Sequence, residues 1–121
     1  MTDSVYTTTT LVIHQSDHYV VSELPYCVSF SPILPSGVTL DVAVTPTATV
    51  SPDNQLAVVD LAVNSSQITD NNGTIVAIEK GVVFTFTPDT GVAGVTYNVK
   101  LQATTDGGSI LNVIVPVYVQ G

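Results

Sequence analysis

The chain has 121 residues, 45% of them hydrophobic and 10% charged, and its ten acidic residues face only Lys80 and Lys100, for a formal net charge of −8. This length and hydrophobic share set one domain with its own core and exclude disorder arising from low hydrophobicity. The lack of arginine and the two lone lysines exclude nucleic-acid binding, which needs clustered cations to displace counterions and read base edges, and argue against anionic membrane surfaces.

The opening MTDSVYTTTT has neither a basic n-region nor a long apolar core, so it does not read as a secretory signal, and no apolar run reaches the roughly 18 residues of a membrane span. Val5 to Ile13 alternates Val5, Thr7, Thr9, Leu11 and Ile13, which predicts either a strand of the main fold or an extended arm. Fully extended, residues 1–17 reach about 55 Å at about 3.3 Å per residue, enough to lie on a neighbouring subunit. Tyr6, Thr7, Thr8, Thr9, Thr10 and Leu11 are therefore the candidate partner-binding residues, adding a strand to a neighbour's sheet. Residues 1–26 are assigned to an arm or to added strands and residues 27–121 to the main domain.

His14 and His18 stand four apart, a metal-site spacing on a helix, but on a strand they are separated by roughly 13 Å. With no third ligand evident nearby, they read as exposed or interface histidines. A short strand is expected at Tyr19 to Ser22. Pro25, Pro32 and Pro35 bracket Cys27 to Phe30, marking an edge strand or one cut short at both ends. Cys27 is the only cysteine, so no intrachain disulfide forms and cytosolic folding is the simpler reading. Tyr26 and Val28 beside it point to an inert core thiol.

After the turn Pro35-Ser36-Gly37, Val38, Leu40, Val42 and Val44 alternate with Thr39, Asp41, Ala43 and Thr45, predicting a strand with one apolar face. Pro46 and Pro52 interrupt the pattern. Leu56 to Val63 is more continuously apolar and predicts a strand buried on both sides for part of its length. Asn64 to Gly73 is the longest loop signal, ending in the tight-turn pair Asn72-Gly73. Asp70-Asn71-Asn72-Gly73 lacks the ligand spacing of a calcium loop and reads as a turn. The sequons at Asn64 and Asn72 carry no weight without a signal peptide. Ile75 to Ile78 and Val82 to Thr87 flank Glu79-Lys80-Gly81, a hairpin candidate.

Gly91 to Gly108 is the most informative stretch. A glycine-rich turn leads into Val95, Tyr97, Val99, Leu101 and Ala103 alternating with polar residues, followed by an Asp-Gly-Gly turn whose return partner is Ser109 to Val119. Helix is conceivable only near Leu24 and Gln55, because β-branched residues dominate elsewhere. Seven to nine strands at short turn spacing predict an all-β fold, an Ig-like antiparallel β-sandwich with an extended N-terminal segment. Tyr97, just after a glycine corner at the start of the penultimate strand, reads either as ordinary core or as the tyrosine such sandwiches bond back to the backbone, with Gly91 and Gly94 shaping the corner. No nucleophile elbow, phosphate loop, paired acidic dyad or Cys/His cluster is present, so no catalytic, cofactor or metal residues are assigned and no enzyme is expected.

Gly91, Ala93, Gly94, Thr96, Tyr97, Thr104, Thr105 and Gly108, with Ile110 to Val119 as a closing strand, resemble a group of short phage and prophage proteins built on an Ig-like module. Leu34-Pro35-Ser36-Gly37-Val38-Thr39-Leu40 is similar to that group's Pro-Gly strand opening, and the resemblance covers about Phe30 to Val119. Residues 46–73 and 1–26 depart from the group. The resemblance implies a virion structural protein made in the host cytoplasm: a decoration or cement protein on the capsid exterior, or else a tail or head-tail module contributing to tail structure or host-surface adhesion. Its implied partners are the major capsid protein or other virion proteins. A charge-poor surface suits self-assembly, since few charges are desolvated when an interface forms, and a trimer would match capsid threefold positions.

Overall fold

The computed structural model describes residues 5–8, 10–14, 26–52, 56–69, 73–86 and 91–120. Among them the chain is all-β, with a single turn of 3-10 helix at Ser31–Ile33. The strands are β1 (Val5–Thr7), β2 (Leu11–His14), β3 (Tyr26–Ser29), β4 (Thr47–Ser51), β5 (Val58–Val63), β6 (Ile68–Thr69), β7 (Ile75–Val76), β8 (Gly81–Phe86), β9 (Thr96–Thr104) and β10 (Ile110–Gln120).

The β9–β10 hairpin is the spine. Strict period-2 alternation fixes its register from Ile110 opposite Thr104 to Tyr118 opposite Thr96, because a one-residue slip would send every apolar side chain to solvent. Tyr97, Val99, Leu101 and Ala103 on β9 and Leu111, Val113, Val115, Val117 and Val119 on β10 point inward and are buried. Thr96, Asn98, Lys100 and Gln102 point outward and are exposed. β4 adds to the far side of β9, while β1 and β2 both pair in parallel with β10, giving a five-stranded sheet. A second sheet, in the order β3-β8-β5, contributes Tyr26, Val28, Phe84 and Phe86 to the same core. The Tyr26, Phe84 and Phe86 rings pack with centroids 5.3 to 6.1 Å apart, the offset and edge-on contacts that aromatic quadrupoles favour.

The strands at the sheet edges are blunted in ways that discourage pairing with another chain. β3 is four residues long. β4 lies between Pro46 and Pro52. β5 carries a register shift between Val59 and Ala62, where Asp60 sits at φ 58° and accepts the Thr85 hydroxyl at 3.2 Å.

Several expectations are corrected. Residues 38–45 do not form a strand: only Leu40 makes a bridge, to Thr105. The carboxylate of Asp41 accepts the Ala43 N–H at 2.9 Å and its carbonyl accepts the Val44 N–H at 3.2 Å. That local turn outcompetes the ladder, as short acidic side chains do, and leaves Val42 and Val44 exposed. The strand forms instead between the two prolines. β5 is not buried on both faces, since the described strand is an edge with Val59 and Ala62 exposed. The expected pairing of residues 75–78 with 82–87 does not occur among the described residues: β7 pairs with β6, from within the expected loop 64–73, and β8 pairs with β3 and β5.

The described strands of the candidate arm pair with β10 of their own chain. Tyr6 and Thr7 lie opposite Val113 and Ile114, and Leu11 lies opposite Val117. The 26/27 boundary falls inside β3, which begins at Tyr26. The strand expected at 19–22, together with Thr9, His18 and Asn72, lies outside the described residues.

Candidate functional site

Strand directions gather three connections at one end: residues 30–46 between β3 and β4, the described residues 64–69 and 73–80 between β5 and β8, and 105–109 between β9 and β10. They are tied together by backbone hydrogen bonds. The Leu40 N–H donates to the Glu79 carbonyl at 2.8 Å, the Asp41 N–H to the Thr104 carbonyl at 2.8 Å, the Asp106 N–H to the Thr39 carbonyl at 2.9 Å and the Phe30 N–H to the Lys80 carbonyl at 2.8 Å. The Lys80 ammonium donates to the Val38 carbonyl at 2.8 Å.

Asn64 organises the middle connection from a position only 3% exposed. Its Nδ2 donates to the Ser66 and Ala77 carbonyls at 3.1 and 2.8 Å, and its Oδ1 accepts the Gly81 N–H at 2.9 Å. Its backbone N–H donates to the Gly81 carbonyl and its carbonyl accepts the Glu79 N–H. One buried amide thus substitutes for a ladder where β5 ends and β8 begins. Such burial is incompatible with the sugar acceptor that the sequon at Asn64 would suggest.

Gly81 is needed for space. A Cβ there would stand 2.7 Å from Val76 Cγ1 and 2.9 Å from the Val28 carbonyl oxygen. Its absence lets β7 close over the start of β8 and bury Val76. In the last connection, the Thr105 hydroxyl accepts the Ser109 N–H at 3.0 Å.

The surface held this way is apolar and acidic. Val42, Val44, Ile75, Ile78 and Ile110 are five of the nine exposed large hydrophobic residues among those described. Asp41, Glu79 and Asp106 supply its negative charge, and Lys80 beside them is engaged with the Val38 carbonyl.

The sequence-derived candidates fall elsewhere. Tyr6, Thr7 and Thr10 are exposed, and Thr8 and Leu11 are partly buried along the β10 edge. At the opposite end, Tyr97 is fully buried and its hydroxyl accepts the Val92 N–H at 2.9 Å. Gly91 and Gly94 both adopt φ of 85° in that corner, and the Gly94 N–H donates to the Val119 carbonyl at 2.7 Å. Cys27 is buried. His14 closes β2, and no group of three or more potential metal ligands occurs among the described residues.

Sequence reasoning missed the loop end because the alternation at 38–45 mimics a strand. The signal that would have found it is Asp41 within that alternation, a residue that favours turns. No family model matches the chain, and neither a curated protein nor a solved structure matches it.

Proposed function

We propose that the chain is an Ig-like β-sandwich of a bacteriophage virion, a capsid decoration protein that docks on the outer shell through its loop end. The Ig-like reading rests on strand order. β3-β8-β5 opposite β4-β9-β10 corresponds to the B-E-D and C-F-G strands of such sandwiches, and the Tyr97 hydroxyl accepts a backbone N–H upstream at the turn between the sheets, as their corner tyrosine does. The virion reading rests on the resemblance of residues 91–108 to phage modules.

The observation that carries docking is the set of exposed apolar side chains on loops braced by Asn64 and by backbone bonds. Loops already fixed lose little entropy on binding. Asp41, Glu79 and Asp106 select a shell patch that is apolar and rimmed by neutral or basic groups. The outward face of the five-stranded sheet, rich in Thr, Asn and Gln, then faces solvent or neighbouring copies.

The test is co-sedimentation with capsids of the same phage lacking this protein, with detached tails as the comparison. Saturable binding to capsids is expected. Binding only to tails would replace the decoration role with a tail or head-tail one, and binding to neither would refute the virion reading.

A further inference from the structure

The 105–109 connection between β9 and β10 is a tight turn whose bonds surround one peptide group without using it. The Gly108 N–H donates to the Thr105 carbonyl at 3.0 Å, the closing bond of a β-turn, and the Thr105 N–H donates to the Ser109 carbonyl at 2.7 Å. The Ser109 N–H is taken by the Thr105 hydroxyl and the Asp106 N–H by the Thr39 carbonyl. Among the described residues the Gly107 N–H has no acceptor, and the exposed Asp106 carboxylate neither accepts a hydrogen bond nor forms an ion pair. A Cβ placed on Gly107 would meet nothing within 4 Å, so the flank of this peptide group is open.

An aspartyl carboxyl and the amide nitrogen of the next residue are the two partners of a five-membered ring. Elsewhere in the described chain one of them is withheld. The Asp41 carboxylate accepts the Ala43 N–H and precedes Val42, and the Asp60 carboxylate accepts the Thr85 hydroxyl and precedes Leu61. The Asn64 amide is bonded through both its oxygen and its nitrogen. Asn98 and Asn112 precede valines inside the β9–β10 ladder, where pairing fixes the backbone and a branched side chain crowds the nitrogen. Among the described residues Asp106 alone combines a free carboxyl group with a following glycine, the residue that hinders the nitrogen least and leaves the backbone freest to rotate.

We propose that Asp106-Gly107 is a site of spontaneous isomerisation to isoaspartate, and that the 105–109 turn is the element it alters. The Gly107 nitrogen attacks Cγ of the protonated Asp106 carboxyl; the N–Cγ bond forms, and the hydroxyl leaves with the amide proton as water. Water then returns to the succinimide. Addition at Cγ restores aspartate. Addition at the main-chain carbonyl carbon breaks its bond to the Gly107 nitrogen and leaves the chain running through Cβ and Cγ, with a free α-carboxylate and no change in mass. The backbone then carries an extra atom between the Thr105 carbonyl and the Gly108 N–H, so the turn bond no longer closes in its present geometry. The bond from the Asp106 N–H to Thr39 lies before the insertion and is kept. This inference stands independently of capsid docking.

The chain's two lysines make the test clean, because trypsin separates a peptide beginning at Leu101 from the one holding Asp41, Asp60 and the Asn72-Gly73 pair. The folded full chain is held below its Tm at mildly acidic pH for several weeks, beside a sample unfolded in guanidinium, and both are then digested. In the folded sample a second chromatographic peak of the Leu101 peptide is expected, equal in mass to the first, growing with time and accepting a methyl group from an isoaspartyl methyltransferase. Asp106→Glu, which would need a six-membered ring, is expected to abolish that peak. Gly107 lies outside the left-handed region and has open space around it, so Gly107→Ala is expected to keep the fold and slow the conversion several-fold. A folded sample whose Leu101 peptide stays single overturns the proposal, and conversion confined to the unfolded sample would show that the turn protects the site. So does a second peak that persists in Asp106→Glu, or a rate that Gly107→Ala leaves unchanged.

Discussion

Replacing Asn64 by alanine removes three side-chain hydrogen bonds at once, those to the Ser66 and Ala77 carbonyls and that from the Gly81 N–H. At a net value of about 1 kcal/mol each, the loss is about 3 kcal/mol, and the buried Gly81 N–H left without an acceptor puts the true figure at or above this. A chain of this length unfolds with an entropy of about 0.25 kcal/mol/K near its midpoint, so the expected fall in Tm is about 12 °C. Asn64→Asp is expected to recover little. It keeps an acceptor for Gly81 but sets a carboxylate against the carbonyls of Ser66 and Ala77. Urea unfolding should show the same loss as a lower midpoint with unchanged m. An Asn64→Ala protein within 3 °C of the wild type would refute the assignment of Asn64 as the brace of the loop end.

Gly81→Ala tests close packing by its sign: at an unconstrained site the change stabilises by about 0.4–1 kcal/mol through the unfolded chain. Here the contacts with Val76 and the Val28 carbonyl oxygen predict a loss of about 1–3 kcal/mol by urea denaturation; stabilisation would contradict the geometry. Tyr97→Phe keeps the buried ring and removes only the bond to the Val92 N–H, so thermal unfolding should fall by about 2–6 °C, corresponding to about 0.5–1.5 kcal/mol. An unchanged Tm would show that the hydroxyl contributes nothing to the corner. The combined change Val42→Thr, Val44→Thr, Ile78→Thr alters only exposed side chains and should leave stability within about 0.5 kcal/mol of the wild type in the same assay.

The β9–β10 hairpin was legible, both strands and their turn, because alternation, a glycine-containing turn and a nine-residue run all agree there. The region 38–45 was not, although its alternation is equally regular. Burial is what turns alternation into a strand, and nothing packs against Val42 or Val44 strongly enough to displace the Asp41 turn. The pairing of β7 with β6 rather than β8 was hidden for a different cause. It depends on Asn64 reaching Ala77 thirteen residues on, and sequence periodicity carries no trace of a side chain standing in for backbone. The N-terminal segment showed the right period, but period alone does not distinguish a strand laid on its own β10 from one reaching a neighbour. Pro116 was the unread clue, since it marks where the edge partner must break. The apolar loop end became visible only when three distant connections were brought to one end of the fold.

The central claim, docking through the loop end, is tested most directly by the affinity of the triple threonine variant for capsids lacking this protein, measured beside the wild type by co-sedimentation. At about 1 kcal/mol lost per buried side chain, the account predicts binding weakened by about 100-fold with the Tm unchanged. Equal affinity of the two proteins for the capsid would contradict it.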